Sequence, residues 1–224
     1  MKKIKFDDLK LDQPSLHVAT GKPGSGKTAL LFSIADKLHE QSGKHVYVAL
    51  EERDLRDLAN LPDYIHQLET PSQKRRESKE AVEEIYPQDA IIITDDAHRP
   101  LHARRSMRDF NVWLDELHAQ LRHDDNDFLY DTQIYRSIDK NIRERVEYTW
   151  YREQHRRSIK YAPIEERAEL EVVYEVLKGK DLTVAYLDSD DYEGLVTDIS
   201  LPAYWTEELS RMHRRRSPGR VVIR

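Results

Sequence analysis

The stretch at residues 16–40, LHVATGKPGSGKTALLFSIADKLHE, joins an apolar run, a loop with three glycines, a Lys-Thr pair and a helical pattern without a break. No other part of the chain restricts the fold as tightly. GKPGSGKT satisfies GxxxxGK[ST], in which glycines let successive backbone N–H groups turn inward around a phosphate chain with no side chain in the way. Before it, LHVAT reads as a strand; after it, Ala29, Leu30, Ile34 and Leu38 recur at helical spacing until Gly43 offers a stop. That order places a helix N-terminus, with its partial positive charge, behind the phosphates. The whole loop, Gly21, Lys22, Pro23, Gly24, Ser25, Gly26, Lys27 and Thr28, is the expected nucleotide cradle. In it Lys27 reaches the β- and γ-phosphate oxygens and the Thr28 hydroxyl meets Mg²⁺. The alternative is a Gly-rich turn that binds nothing, and the flanking strand and helix argue against it.

Binding alone is not hydrolysis, which needs an acid near Mg²⁺ and a group that positions water. AIIITDDAHRP, at 90–100, is a β-branched run ending in paired acids, as expected of a buried parallel strand that delivers carboxylates to its C-terminal edge. Asp95 is expected to hold Mg²⁺ through water and Asp96 to polarise the attacking water. The competing reading is a surface turn carrying two aspartates. DFLYDTQ reads as a further strand ending at Thr132 and Gln133, a polar pair on the same rim as the loop and within reach of a γ-phosphate. Between the two, MRDFNVWLDELHAQLR sets Phe110, Trp113, Leu114, Leu117 and Leu121 on one helical face, so those aromatics read as core and not as a base-stacking platform. After Gln133, Ile138, Ile142 and Val146 repeat every four residues and leave Lys140 and Arg143 on the opposite, solvated face.

Length and composition bound the rest. The 224 residues suffice for one α/β unit with an appendage, divided here into a P-loop core at 1–160 and a C-terminal β extension with a basic tail at 161–224. There is no cysteine, which excludes disulfides and thiolate metal sites, and the ten histidines show no metal-ligand spacing. No apolar run approaches the ~20 residues that cross a bilayer, so a soluble chain is expected, with any membrane role supplied by a partner. Net charge is −6, yet RMHRRRSPGR near the C-terminus carries basic residues and no acid. The charge-dense segment at 51–89 reads as short helices around an exposed loop, TPSQKRRESK. ELEVVYEVLKGKDLTVAYLDS reads as two β-rich runs around Lys178-Gly179-Lys180, a hairpin at the sheet's edge.

Taken in order, GKPGSGKT, IIITDDAHRPLHARRS and LRHDDNDFLYDTQIYRSIDKNIRERV resemble the zonular occludens toxin (Zot)-like ATPases of filamentous phages. More broadly they resemble the FtsK/HerA superfamily, which includes DNA-packaging ATPases of membrane-containing viruses. The likeness runs over roughly residues 16–146. It implies a RecA-like α/β fold with a mainly parallel central sheet and a small C-terminal β extension. It also implies ATP and Mg²⁺ as cofactors and a homo-oligomeric ring that couples hydrolysis to DNA movement, with viral genome packaging as the leading function. By resemblance Gln133 is the strand-end glutamine that senses the γ-phosphate, and Arg122 the arginine finger offered to a neighbouring subunit, where a cation neutralises developing charge. Candidate DNA-backbone contacts are Arg104, Arg105, Lys140, Arg143 and the tail at 211–220. The expected location is the host cytoplasm, with virion association and a virion or membrane protein as further partner. Two departures bear on this. The family usually has Asp-Glu where this chain has Asp95-Asp96, which shortens the catalytic side chain by one methylene and predicts slow hydrolysis. Filamentous-phage members typically carry a transmembrane helix after the ATPase domain, and its absence here favours a packaging motor over a membrane-embedded export protein. A Zot-like morphogenesis protein acting at a membrane through a partner is the alternative. A P-loop small-molecule kinase is third, since no lid-like arginine cluster is evident and the Gln133 block would be unexplained.

Overall fold

The computed structural model describes residues 1–50, 60–69, 87–94, 123–133, 135, 140–154, 156–160, 162–206 and 208–209. Its strands are β1 (Lys3–Lys5), β2 (Leu16–Thr20), β3 (His45–Leu50), β4 (Ile65–Glu69), β5 (Ala90–Thr94), β6 (Asp127–Thr132), β7 (Tyr148–Tyr151), β8 (Ala185–Asp188) and β9 (Glu193–Thr197). The α-helices among the described residues are α1 (Lys27–Ser42), α2 (Lys140–Arg143), α3 (Arg156–Lys160) and α4 (Ile164–Leu177). All nine strands form one sheet in the order β1-β9-β8-β7-β2-β6-β5-β3-β4. The run from β7 to β4 is parallel throughout, β8 is antiparallel to both β7 and β9, and β1 closes the far edge parallel to β9. The chain is an α/β protein with a mainly parallel central sheet and a small C-terminal β extension, as its sequence leads one to expect.

Side-chain alternation explains the layering. In β5, Ile91 and Ile93 face the cluster around α1, while Ala90 and Ile92 face a second cluster that includes Ile142 of α2. β6 does the same, with Leu129 on the first side and Phe128 and Tyr130 on the second. On the second face α4 covers the extension, where Val173 and Leu177 meet Tyr186 and Leu195. Helix α1 is buried on nearly every side: the sheet lies beneath it, and Tyr204 and Trp205 pack on Phe32 from above. Asp36 of α1 accepts hydrogen bonds from the hydroxyls of Tyr204 (2.5 Å) and Tyr64 (3.1 Å), which holds the segment around Tyr204 and the approach to β4 against the helix.

Three sequence expectations need correction or completion. Within the segment read as short helices, residues 65–69 are strand β4, paired with β3 from Val46↔Ile65 to Leu50↔Glu69. Ile65 and Leu68 stand three apart, as on a helix, but they enter the clusters on opposite faces of the sheet. The first of the two β-rich runs is helix α4, entered from Pro163 with Glu165 and Glu166 in its first turn. Only Val173 and Leu177, i and i+4, are buried in it, so its Val and Tyr content misleads where a four-residue period decides. The hairpin that does form is β8–β9, whereas Lys178-Gly179-Lys180 is the turn leaving the helix. The helix expected over the Phe110, Trp113 and Leu121 pattern lies outside the described residues. No helix among the described residues is long and apolar enough to cross a membrane.

A buried polar chain spans the edge of the sheet opposite the loop. Trp150 Nε1 donates to His17 Nδ1 at 3.1 Å, and because an indole can only donate, that nitrogen carries no proton. The proton is therefore on Nε2, 2.8 Å from the Ser15 hydroxyl, which in turn donates to Asp127 Oδ1 at 2.9 Å. Lys44 Nζ completes the chain at 3.0 Å from Asp127 Oδ2. His17 is fully buried, and burial pushes its pKa down to about 3. The unfolded chain takes up this proton below about pH 6.5, but the native state takes it up only near pH 3. Stability from His17 is thus complete above pH 6.5 and falls as pH drops through that window, by at most about 1.4 kcal/mol per unit. Urea midpoints from pH 7 to 4.5 should fall more steeply for the parent than for His17→Gln, which keeps a donor and an acceptor but cannot titrate. Parallel curves would mean that His17 takes up its proton in the fold as readily as in the unfolded chain.

Candidate active site

The loop between β2 and α1 is held from both flanks. Gly21 N donates to the Thr132 carbonyl at the end of β6 (3.3 Å), and Lys22 N to the Glu153 carbonyl beyond β7 (2.9 Å). The Lys22 ammonium also pairs with the Glu153 carboxylate at 2.7 Å. The last carbonyl of β2, on Thr20, accepts from Arg152 N (2.8 Å) and from Gln154 Nε2 (3.0 Å). Parallel neighbours on each side therefore fix where the phosphate loop starts.

Within the loop, Gly26 is the N-cap of α1 with φ +82°, a left-handed conformation that disfavours side chains, and a Cβ there would collide with the Leu182 side chain. Lys27 opens the helix and is 7% exposed. Its ammonium donates to the Lys22 carbonyl at 3.3 Å and lies 3.8 Å from Asp131 Oδ2. The lysine is thus folded back over its own loop, as it must be to meet a phosphate chain lying across the helix N-terminus. Thr28 follows, half-buried.

The cradle fits a polyphosphate on the protein's own features. The buried Ser25 hydroxyl has no hydrogen-bond partner, and the space beside Gly24, where a side chain would project, is empty. An ammonium and the N-terminal end of a sixteen-residue helix converge on the same place. Gly26→Ala should weaken ATPγS binding by about tenfold or more while the fold persists, since left-handed strain alone costs roughly 1–2 kcal/mol. Calorimetric titration of the variant would show it; unchanged affinity would mean that the loop relaxes freely.

β6 lies between β2 and β5, so the acid-bearing strand is separated from the loop strand by one strand whose own end faces the loop. Gln133 is exposed and follows directly on Thr132, the residue hydrogen-bonded to Gly21. β5 ends at Thr94, with Thr94 registered opposite Tyr130 of β6, and this strand leads into Asp95 and Asp96. Asp95, Asp96, Arg104, Arg105, Arg122 and the tail at 211–220 lie outside the described residues. Of the candidate DNA contacts, Lys140 is exposed and pairs with Glu144 at 3.3 Å. Arg143 is not on a solvated face: it is half-buried, its guanidinium 5.9 Å from the Tyr135 ring centre and its Nε without a partner. The α2 helix is short, and Tyr135 folds back beside it, which covers the face that the four-residue repeat left open. No group of three or more His, Asp or Glu among the described residues is placed to hold a metal on its own.

Three residues of this region escaped sequence reasoning. Asp131 sits within DFLYDTQ as an acid inside an apolar strand, a signal in itself, and it meets Lys27 because β6 runs beside β2 in the register Ala19↔Asp131. Arg152 and Glu153 follow an aromatic strand with no motif, and nothing local marks them.

The family model for zonular occludens toxin (Zot) matches residues 15–190, well over half of the chain. This chain belongs to the Zot family. Its fold is also that of the genome packaging NTPase B204 from Sulfolobus turreted icosahedral virus 2. With sulfate bound, that structure matches at TM-score 0.59 and 10% identity over 84% of this chain and 97% of the other. The ATPγS complex of B204 matches at TM-score 0.59 and 11% identity, over 83% and 98%. VirB4 of Thermoanaerobacter pseudethanolicus matches at TM-score 0.57 and 9% identity, covering 83% of this chain and 89% of that one. No curated protein matches the sequence. At such identities the likeness is one of fold, and this Zot-family chain shares with B204 and VirB4 the architecture described above.

Proposed function

We propose that this Zot-family chain hydrolyses ATP and uses the cycle to move DNA, as a viral genome-packaging motor. The observation that carries the reading is the loop with Lys27 and Thr28, fastened to β6 so that Gln133 stands on its rim, in a fold shared with a genome packaging NTPase. Backbone N–H groups of the loop and the Lys27 ammonium hold the β- and γ-phosphates, and Gln133 reports whether the γ-phosphate is present. Thr28 and Asp95 would hold Mg²⁺, which draws charge from the phosphate oxygens. Asp96 takes the proton of the attacking water, and Arg122 of an adjacent subunit in a ring neutralises the charge that develops. Work in the host cytoplasm, with virion association, belongs to the same proposal.

DNA would be gripped by its backbone, through Lys140, Arg104, Arg105 and the tail at 211–220. Arg143 contributes less than its sequence position suggests, because it packs on Tyr135. A net charge of −6 requires those basic groups to share one surface, such as a ring's channel, where their field outweighs acids screened beyond ~8 Å. The test is ATP turnover against duplex DNA at low and moderate salt, for the parent and for Lys140→Glu combined with Arg104→Glu and Arg105→Glu. Stimulation indifferent to sequence is expected. Its binding should weaken with log salt by about −0.9 per phosphate neutralised, and the triple variant should lose it. The Zot family match itself favours a second reading, a phage morphogenesis protein acting at a membrane through a partner. Turnover indifferent to DNA in a verified oligomer, with no DNA binding at low salt, would decide for that reading.

A further inference from the structure

Arg152 is 1% exposed, yet no carboxylate among the described residues hydrogen-bonds to its guanidinium. Its partners are main-chain carbonyls of one short loop: Nη2 donates to Leu182 O at 2.6 Å, and Nη1 donates to Val184 O and, at 3.5 Å, to Asp181 O. Nε has no partner. Burial lowers the pKa to about 10, with only the exposed Asp181 acting the other way. A buried cation without a paired anion is costly and needs a reason. Its position supplies one, because the phosphate loop rests directly on this assembly. A Cβ on Gly21 would lie 2.9 Å from Arg152 Cβ, and one on Gly26 would run into Leu182 with Arg152 Nη2 3.7 Å away. The two glycines at either end of the cradle are thus the points where it touches Arg152 and the loop that Arg152 holds.

We propose that Arg152 is a positioning residue that locks residues 181–184 against the back of the phosphate loop, so that nucleotide in the cradle is felt by the β8–β9 hairpin. The proposal rests on the nucleotide-binding reading above and extends it to a part of the chain that no phosphate touches. The physical path is short. The planar fork is fastened to three carbonyls and cannot slide as an ammonium could. Contacts at Gly21 and Gly26 leave no free space, and close-packed matter passes on a displacement and does not absorb it. β8 begins at Ala185, directly after the loop, and pairs with both β7 and β9, while β9 carries β1 on its other edge. A negatively charged phosphate chain held in the cradle would also offset the cost of burying the guanidinium behind it, which links the two sites thermodynamically.

The test is amide hydrogen exchange of the full chain with and without ATPγS, beside ATPγS affinity by calorimetry, for the parent, Arg152→Lys, Arg152→Gln and Leu182→Ala. In the parent, ATPγS should slow exchange in residues 21–28 and also in 182–188. Arg152→Gln at saturating ATPγS should keep the first protection and lose the second, with affinity down about tenfold. Arg152→Lys should behave like Arg152→Gln, because a single ammonium cannot span the carbonyls. Should the arginine variants fail to fold, Leu182→Ala keeps the fork but removes its contact with Gly26, and it should also lose the protection at 182–188. Protection at 21–28 without protection at 182–188 in the parent, or protection at 182–188 that survives in the folded variants, overturns the coupling. Absence of protection at 21–28 in the parent would instead overturn nucleotide binding and the coupling with it.

Discussion

Replacing Lys27 with alanine is expected to lower ATP turnover by at least about a hundredfold, the range seen when one preorganised charge-stabilising donor is removed from a transferring group. The structure makes this more than the loss of a contact. Lys27 is 7% exposed and its ammonium sits between the Lys22 carbonyl and Asp131, so its removal leaves a buried carboxylate close to the path of the phosphates. Affinity should therefore fall along with kcat, and both kcat and the ATPγS dissociation constant should be measured with the chain's melting temperature as control. Undiminished turnover in a folded Lys27→Ala protein would remove this loop from the chemistry.

Asp96→Asn separates binding from hydrolysis. An amide cannot take the proton of the attacking water, so the variant should bind ATP normally and turn it over about a hundredfold or more slowly. If Arg122 acts across a subunit boundary, Arg122→Ala subunits should likewise bind ATP and fail to hydrolyse it. Mixing the two variants should then restore part of the activity, because some interfaces join an intact acid to an intact arginine. A titration of one variant into the other, with co-assembly verified, shows a maximum at intermediate ratios if this holds. A flat line would place Arg122 in a local structural role, and normal turnover in Asp96→Asn would assign the proton to another acid.

How far the site could be read in advance depends on the range of the interactions that build it. The cradle and its flanks were legible because each signal is local. Glycine at positions of left-handed backbone, a four-residue apolar period in α1 and largely apolar runs in β2, β5 and β6 are short-range patterns that the fold keeps. The misreadings share the opposite property. Ile65 and Leu68 suggest a helix until β3 supplies a pairing edge, and the Val-rich run at 170–177 suggests a strand until its buried residues prove to be four apart.

By itself the sequence determined that a phosphate-binding loop stands between a strand and a helix, and that acids and a glutamine follow at strand ends. Those features need only neighbours along the chain. Tertiary structure alone decided that β6 lies between β2 and β5, and so brings Asp131 to Lys27. It also decided that β7 flanks the loop on the other side and sets Arg152 beneath Gly21 and Gly26, fastened to a loop some thirty residues further on. Such contacts join residues that share no local pattern, and their identity follows from strand order, which is settled by how whole faces bury one another.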